Sequence, residues 1–392
     1  MKTEQRRILG ALFFLFGFGI MAWIPRFPEV KQNLNVGNGQ FGTLVSMGAV
    51  GSLISLIVVG PLVHRLGTRK VMSVSATFLF SAIALIVHIT SVWQFLFCNM
   101  VIGAAISAFH IAVNSQGLHE QAPIGENLIP RLHGFWSLGA LTTAVLSGLL
   151  IKTVPLAVHI DIVSAFVYVT MLVLIWKLGA NSLKGSVETV GYYSIRSFFA
   201  RSNIDWAMGF GLTCSVMLEF AIGDWAAIFS KEELHMSAAT SALPYILFVL
   251  AMILGRLTVH RITKFIGIAR LIRLCSIIGG TTFIISVTLG VQFSKTSPVA
   301  GFSLVAAGSF IGGLGVSFLA PTFMHAANRR SKAPGSVVVG QLGAVSTVFV
   351  LLIKPVIAWT AQATSIAVAL VIPSLMLIAV SLLATAVKNA DA

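Results

Sequence analysis

Charge is what this sequence has least of. Only 10% of its 392 residues are Asp, Glu, Lys or Arg, too few to cover the surface of a water-soluble domain of that size, which excludes a soluble enzyme or binding domain. Cysteine is scarce as well. The three, Cys98, Cys214 and Cys275, are odd in number and lie within or at the ends of apolar runs, which excludes a disulfide framework. There is no G-x-x-x-x-G-K-[S/T] loop to bind ATP, no H-E-x-x-H pair to hold zinc, and no nucleophile paired with a base. Neither an enzyme nor a cofactor or metal is expected.

What the chain has in quantity is apolar surface: 57% of residues are hydrophobic and the mean hydropathy is +0.94. Runs long enough to cross a hydrocarbon core of about 30 Å, which takes about 20 helical residues, recur from end to end. Twelve are expected, near 8–24, 39–62, 71–90, 92–113, 132–152, 157–177, 204–229, 237–258, 268–291, 297–320, 334–354 and 360–386. The first is followed by eleven more and has no small-residue cleavage site, so it reads as span 1 and not as a signal peptide. The fold class is therefore all-α and membrane-embedded.

Lys and Arg favour cytoplasmic loops. Placed on alternate sides of twelve spans, 20 of the 26 fall on one side, leaving 6 on the other. The rich side holds both termini, which are thus expected in the cytoplasm, in a bacterial inner membrane. The net charge of +14 raises nucleic acid as a partner, but the charges are scattered over short segments with no basic face interleaved with aromatics, and the inside rule already accounts for them.

The longest stretch without an apolar run divides the chain six spans from six, giving expected bundles at 1–177 and 204–392 and a cytoplasmic linker at 178–203. The halves echo each other. Phe18-Gly19-Ile20-Met21-Ala22-Trp23 ends span 1, and Phe220-Ala221-Ile222-Gly223-Asp224-Trp225 lies 202 residues on in span 7. Leu138-Gly139-Ala140-Leu141-Thr142-Thr143 in span 5 has its counterpart 204 residues on, Leu342-Gly343-Ala344-Val345-Ser346-Thr347 in span 11. Two matches in one register argue for an internal duplication.

Between spans 2 and 3 the chain reads Gly60-Pro61-Leu62-Val63-His64-Arg65-Leu66-Gly67-Thr68-Arg69-Lys70, and after span 8 it reads Gly255-Arg256-Leu257-Thr258-Val259-His260-Arg261, closed by Gly267. This resembles the signature loop of the major facilitator superfamily, G-x-x-x-D-R-x-G-x-R-R/K, at the place that family has it in both halves. The expected role is gating. Glycine lets the chain reverse, and Gly60, Arg65, Gly67, Arg69, Gly255, Arg256, Arg261 and Gly267 hold neighbouring helices through bonds that open as the halves rock. The acidic position is His64 in one copy and His260 in the other, where a neutral imidazole serves as a hydrogen-bond partner in place of a fixed charge.

Leu218-Glu219-Phe220-Ala221-Ile222-Gly223-Asp224-Trp225 and Leu132-His133-Gly134-Phe135-Trp136-Ser137-Leu138-Gly139-Ala140 are similar to the E-G-x-x-x-D-W and H-G-x-x-S-L-G-A segments of the fucose permease-like, YbjJ-type bacterial branch. The likeness runs from Trp23-Ile24-Pro25-Arg26 to span 12. It implies two pseudo-symmetric six-helix bundles around a central cavity, secondary transport of a small polar solute by alternating access, and a proton as coupling ion, in a chain acting as a monomer. The acidic residues that proton–sugar symporters of this branch carry in helices 1 and 4 are absent, which leaves the solute open. Span 5 lacks the Gly-Pro step of drug exporters, which favours uptake. An exporter or uncoupled facilitator of the same fold is the near alternative; a transport-inactive sensor is the distant one, and it would be expected to carry an added soluble domain.

An ionisable group in the membrane costs roughly 2.5–3.5 kcal/mol on insertion scales, so each needs a reason. Glu219, well inside span 7, is the first choice for proton coupling, with hydrogen-bonding glue between helices as the other reading. Asp224 follows five positions on, about 140° round the helix, so the two carboxylates do not share a face; it is expected nearer the periplasmic mouth. In span 4, Asn99, Gly103, His110 and Asn114 fall within an arc of about 60°. That stripe either lines the cavity or bonds another helix, and His110 is a further proton candidate. Trp136 and Gln341, from equivalent spans, could stack on and hydrogen-bond a solute. Trp23 and Trp225 either line the cavity or anchor at the membrane interface. Ala140, Ala144 and Gly148, with Gly340, Gly343 and Thr347, suit close packing. The topology has a direct test: reporter fusions after Lys184 and after Asp391 should both report cytoplasm, and a periplasmic signal at either would sink the count of twelve.

Overall fold

The computed structural model describes residues 2–121, 128–178, 204–331 and 335–391, and among them every regular element is helical. Twelve membrane helices result. Helix α1 is Lys2–Met21; α2 is Asn38–Ser46 and Gly48–Leu66; α3 is Thr68–Ile86; α4 is Val92–Gln121; α5 is Leu128–Leu150; and α6 is Leu156–Leu178. Helix α7 is Trp206–Glu232; α8 is Leu243–Ile266; α9 is Ile268–Ser294; α10 is Pro298–Val316 continued by Leu319–Arg330; α11 is Gly335–Ala363; and α12 runs from Ile366–Ala369 through Val371–Ala379 and a 3-10 turn to Ala384–Asp391. Ten of these segments are long and apolar enough to cross a membrane, and α8 adds the shorter apolar stretch Leu243–Val259.

By contacts the chain divides into two compact units, Met1–Asn35 with Leu44–Tyr193, and Val36–Thr43 with Ser194–Ala392. All but the first residue of the expected linker, 178–203, lies outside the described residues.

Several helix ends differ from the expected ones, and three of them bear on the site. Helices α2 and α8 continue past their apolar runs to Leu66 and Ile266, so Gly60, His64 and Arg65, and Gly255, Arg256, His260 and Arg261, are helical and not loop residues. The reversals fall at Gly67 and Gly267 alone, with φ of 81° and 71°, a conformation in which a Cβ would clash with the following carbonyl. Hydropathy ends a span where charge begins, but a helix ends only where the backbone is broken. In α11 the helix passes through Pro355 to Ala363. A Lys-Pro step reads as a terminus because proline lacks an N–H and disfavours helix before it, yet in a bundle neighbouring helices accommodate the break. Lys354, expected as the last residue of span 11, therefore lies well inside it.

In the first unit, helices touch backbone to backbone. A Cβ on Gly139 of α5 would stand 2.0 Å from the Phe14 carbonyl oxygen of α1, and one on Gly17 would stand 2.2 Å from that of Trp136. Helices α2 and α4 meet the same way, through Gly51 against the Met100 carbonyl and Gly103 against that of Gly48, each at 1.9 Å. Helix α2 is interrupted at Met47, where Asn99 of α4 donates its amide to the Leu44 and Val45 carbonyls at 2.9 and 2.8 Å. Buried carbonyls freed by a break need such a partner.

In the second unit the close contacts lie elsewhere, with Gly313 of α10 against the Phe248 carbonyl of α8 and Gly301 against that of Gly290, both at 2.3 Å. Helix α12 begins where the Glu233 carboxylate accepts from the Ile366 and Ala367 N–H groups. On α5 the small-residue stripe is packed, with Ala140 and Ala144 buried. On α11 a Cβ at Gly343 would meet nothing within 4 Å. Gly139→Val should therefore destabilise the protein by about 1–3 kcal/mol through overpacking, while Gly343→Val should stay within about 0.5 kcal/mol. Thermal unfolding in detergent compares them, and equal losses would remove the α1–α5 contact as the cause.

Candidate functional site

The second unit gathers charge inside its apolar helices. From α11, the Lys354 ammonium lies 2.6 Å from Asp224 Oδ2 of α7, with the two side chains only 14% and 13% exposed. The same ammonium sits 5.5 Å from the centroid of the Phe220 ring, a favourable cation–π approach. Arg256 of α8 donates from Nε to the Ser317 carbonyl at 2.9 Å, and its charge acts on Glu219. Tyr245, also on α8, is buried within the electrostatic reach of both carboxylates. Two acids, two bases and a phenol thus converge from α7, α8 and α11.

The helical period explains the division. Because Glu219 and Asp224 are about 140° apart, one answers to Arg256 of α8 and the other pairs with Lys354 of α11. Ser317 has a carbonyl to offer because α10 is interrupted between Val316 and Leu319. Gly255 permits the approach, since a Cβ there would lie 2.2 Å from Ser317 Oγ. Arg256, expected in a gating loop, is thus a half-buried residue within a helix. The sequence reading missed Lys354 and Tyr245. A lysine in the run Leu351-Leu352-Ile353-Lys354 was nevertheless a signal, because an intramembrane ammonium demands a counter-charge.

The stripe on α4 divides along its length. Asn99 is 5% exposed and is spent on the α2 break, while the Gly103 carbonyl accepts from Ser52 at 2.9 Å, so this end bonds another helix. Its other end meets α5: the His133 ring nitrogen Nε2 lies 3.3 Å from Asn114 Oδ1, and the His110 and His133 rings stand edge to face with centroids 5.6 Å apart. Phe16 stacks on His110 at 6.3 Å and Phe13 meets His133 at 5.4 Å. His133 was quoted in the sequence only as part of a motif.

Trp136 is half-buried on α5, and Gln341 is buried on α11. Trp23 is buried against Phe27 and Phe95 with centroids 4.8 and 6.5 Å away, and Trp225 is buried too. Of the gating residues, Arg65 and Arg261 are exposed and Arg69 is half-buried, while the side chains of His64 and His260 lie outside the described ones. The Gly67 turn is tied to α4 instead by Thr68, whose hydroxyl donates to Gln116 Oε1 at 2.6 Å, and by Gln116, whose amide donates to Glu120 at 3.3 Å.

Residues 9–348 match the family model of the Major Facilitator Superfamily. The chain belongs to the major facilitator superfamily. It is 28% identical over 384 residues to an uncharacterized MFS-type transporter of Yersinia pestis, covering 96% of this chain and 94% of that one. It is 26% identical to the membrane protein MosC of Rhizobium meliloti, covering 84% and 78%. Its fold is similar to that of a variant of the nucleoside transporter NupG, at a TM-score of 0.78 and 12% identity over 98% of this chain and 99% of that one. It is also similar to the D-xylose-proton symporter, at 0.69 and 14% over 98% and 96%. The protein is accordingly a transporter of this superfamily and not an enzyme.

For this superfamily member the Asp224–Lys354 pair makes a sharp stability test. Asp224→Asn or Lys354→Gln alone leaves one buried charge uncompensated and should cost about 3 kcal/mol or more, whereas the double variant should recover most of it. Melting temperatures in detergent measure the cycle, and strict additivity of the two losses would show that the pair contributes nothing as a pair.

Proposed function

We propose that this transporter takes up a small polar solute together with a proton, with Glu219 as the proton carrier. The observation that carries this reading is the balanced set of two carboxylates and two bases within the helices of the second unit. Asp224 has a committed partner, Lys354, at 2.6 Å. Glu219 answers to Arg256, which also holds the Ser317 carbonyl, so its counter-charge is shared. A carboxylate out of water needs either a cation or a proton. When α8 and α10 shift and draw Arg256 away, a proton takes its place, and that exchange links protonation to conformation.

On this reading His110, Asn114, His133 and Trp136 in the first unit are solute contacts and Gln341 in the second is another, while Asn99 belongs to the scaffold. The bundles proposed at 1–177 and 204–392, joined by a cytoplasmic linker at 178–203, give alternating access in a monomer whose termini face the cytoplasm. The coupling named for the D-xylose-proton symporter of similar fold supports a proton, and the absence of a Gly-Pro step in α5 supports uptake.

Glu219→Gln keeps shape and most hydrogen bonding but removes titration. With the solute found by an uptake screen in pH-clamped vesicles, the variant should exchange solute across the membrane yet fail to concentrate it. Should it still accumulate solute under a pH gradient, the proton role passes to Asp224 or His110; solute extrusion by the wild type under an inward proton gradient would make the protein an exporter.

A further inference from the structure

The first unit carries two grooves flanking the start of α3, and each has a cation at its mouth. One, of about 360 Å³, runs between α2, α3 and α4 and ends at Lys70. The other, of about 390 Å³, lies between α3 and α6, with Arg69 and Trp176 among its lining residues. The first has a regular construction. Ile54, Val58, Leu62 and Leu66 form one wall at every fourth position of α2, Val74 and Phe78 form the other on α3, and Ala104, Ala105 and Ala108 give a floor without bulk on α4. It opens beyond the point where Gly51 and Gly103 hold α2 and α4 in backbone contact.

The twelve residue steps from Ile54 to Leu66 extend about 18 Å, close to the roughly 15 Å depth of one leaflet of a hydrocarbon core. Apart from Lys70 and two serines, everything lining that groove is apolar. Lys70 is exposed, Arg69 is half-buried, and neither forms an ion pair among the described residues. Trp176 is 69% exposed beside Arg69, and such a ring favours the level of lipid headgroups.

We propose that this face binds one anionic diacyl phospholipid, its chains straddling α3 in the two grooves and its phosphate held between Arg69 and Lys70. Adjacent cations with no acidic partner among the described residues select the headgroup. A phosphate with no ammonium of its own satisfies both, whereas a zwitterionic headgroup would bring a like charge against one of them. The α2–α3 turn is thereby loaded by a lipid as well as by the Thr68–Gln116 bond.

The test uses the purified full-length protein, stripped of lipid in detergent, offered dioleoyl phosphatidylglycerol or dioleoyl phosphatidylcholine, and read by native mass spectrometry. One phosphatidylglycerol should be retained at concentrations where phosphatidylcholine is not. R69Q/K70Q should weaken that retention about thirtyfold, from two surface cations removed. V74W, which fills the first groove without touching a charge, should weaken it too. Melting temperatures without added lipid check that both variants are folded. Equal retention of the two lipids by the wild type, or undiminished retention of phosphatidylglycerol by the folded R69Q/K70Q variant, would overturn the assignment.

Discussion

An ammonium and a carboxylate 2.6 Å apart within apolar helices express the constraint on which the rest of this molecule depends: in a membrane, a charge must bring its counter-charge with it. The protein meets that demand in two ways. Arg26 is fully buried and gripped by Glu29, three residues along the same segment, through two bonds of 2.7 Å, with the Val154 carbonyl accepting a third at 3.0 Å. A pair within one segment travels with it and survives any motion of helices. Asp224 and Lys354, by contrast, come from α7 and α11, and Glu219, Arg256 and Ser317 come from α7, α8 and the break in α10. Pairs made across helices are the ones that a helix movement can break, which is why they and not Arg26 are the place to look for coupling.

Neutral polar groups obey a milder version of the same rule. On α4, Asn99 and Gly103 serve the break in α2, while two and three turns further on His110 and Asn114 turn toward His133. One face of one helix therefore does structural work at one end and leaves imidazole and amide groups for other contacts at the other.

Much of this was legible in the sequence, and the limits have physical causes. Composition and run length revealed the helices because hydrocarbon tolerates little else. The separation of Glu219 from Asp224 followed from 100° per residue, and the turns at Gly67 and Gly267 from the repeated motif. The location of Arg256 did not follow, because a basic residue next to a glycine reads as loop wherever charge is taken to end a span. Lys354 was hidden by Pro355. Above all, spacing along a helix tells which residues share a face but not which helix that face meets, so Tyr245 and Ser317 could not have been assigned to the carboxylates of α7 from one sequence.

The duplication sharpens the reading of that site. The two copies of the motif differ upstream of the turn: Gly60-Pro61 lies just before Gly67, while Gly255-Arg256 stands further back from Gly267. A Cβ on Gly60 would meet nothing within 4 Å, whereas one on Gly255 would lie 2.2 Å from Ser317 Oγ. Both copies keep the positive φ of the turn that follows, so the turn is what the fold requires of the motif. What the second copy has in addition is a guanidinium bonded to an interrupted helix and acting on a membrane carboxylate. The first unit offers imidazoles and amides at its open face and keeps its buried Arg26–Glu29 pair within one segment; the second holds the buried ion pair made across helices. On the proposed reading, a scaffold repeated and then made unlike in its chemistry separates solute contact from charge movement, and Arg256 is one place where the second copy differs from the first.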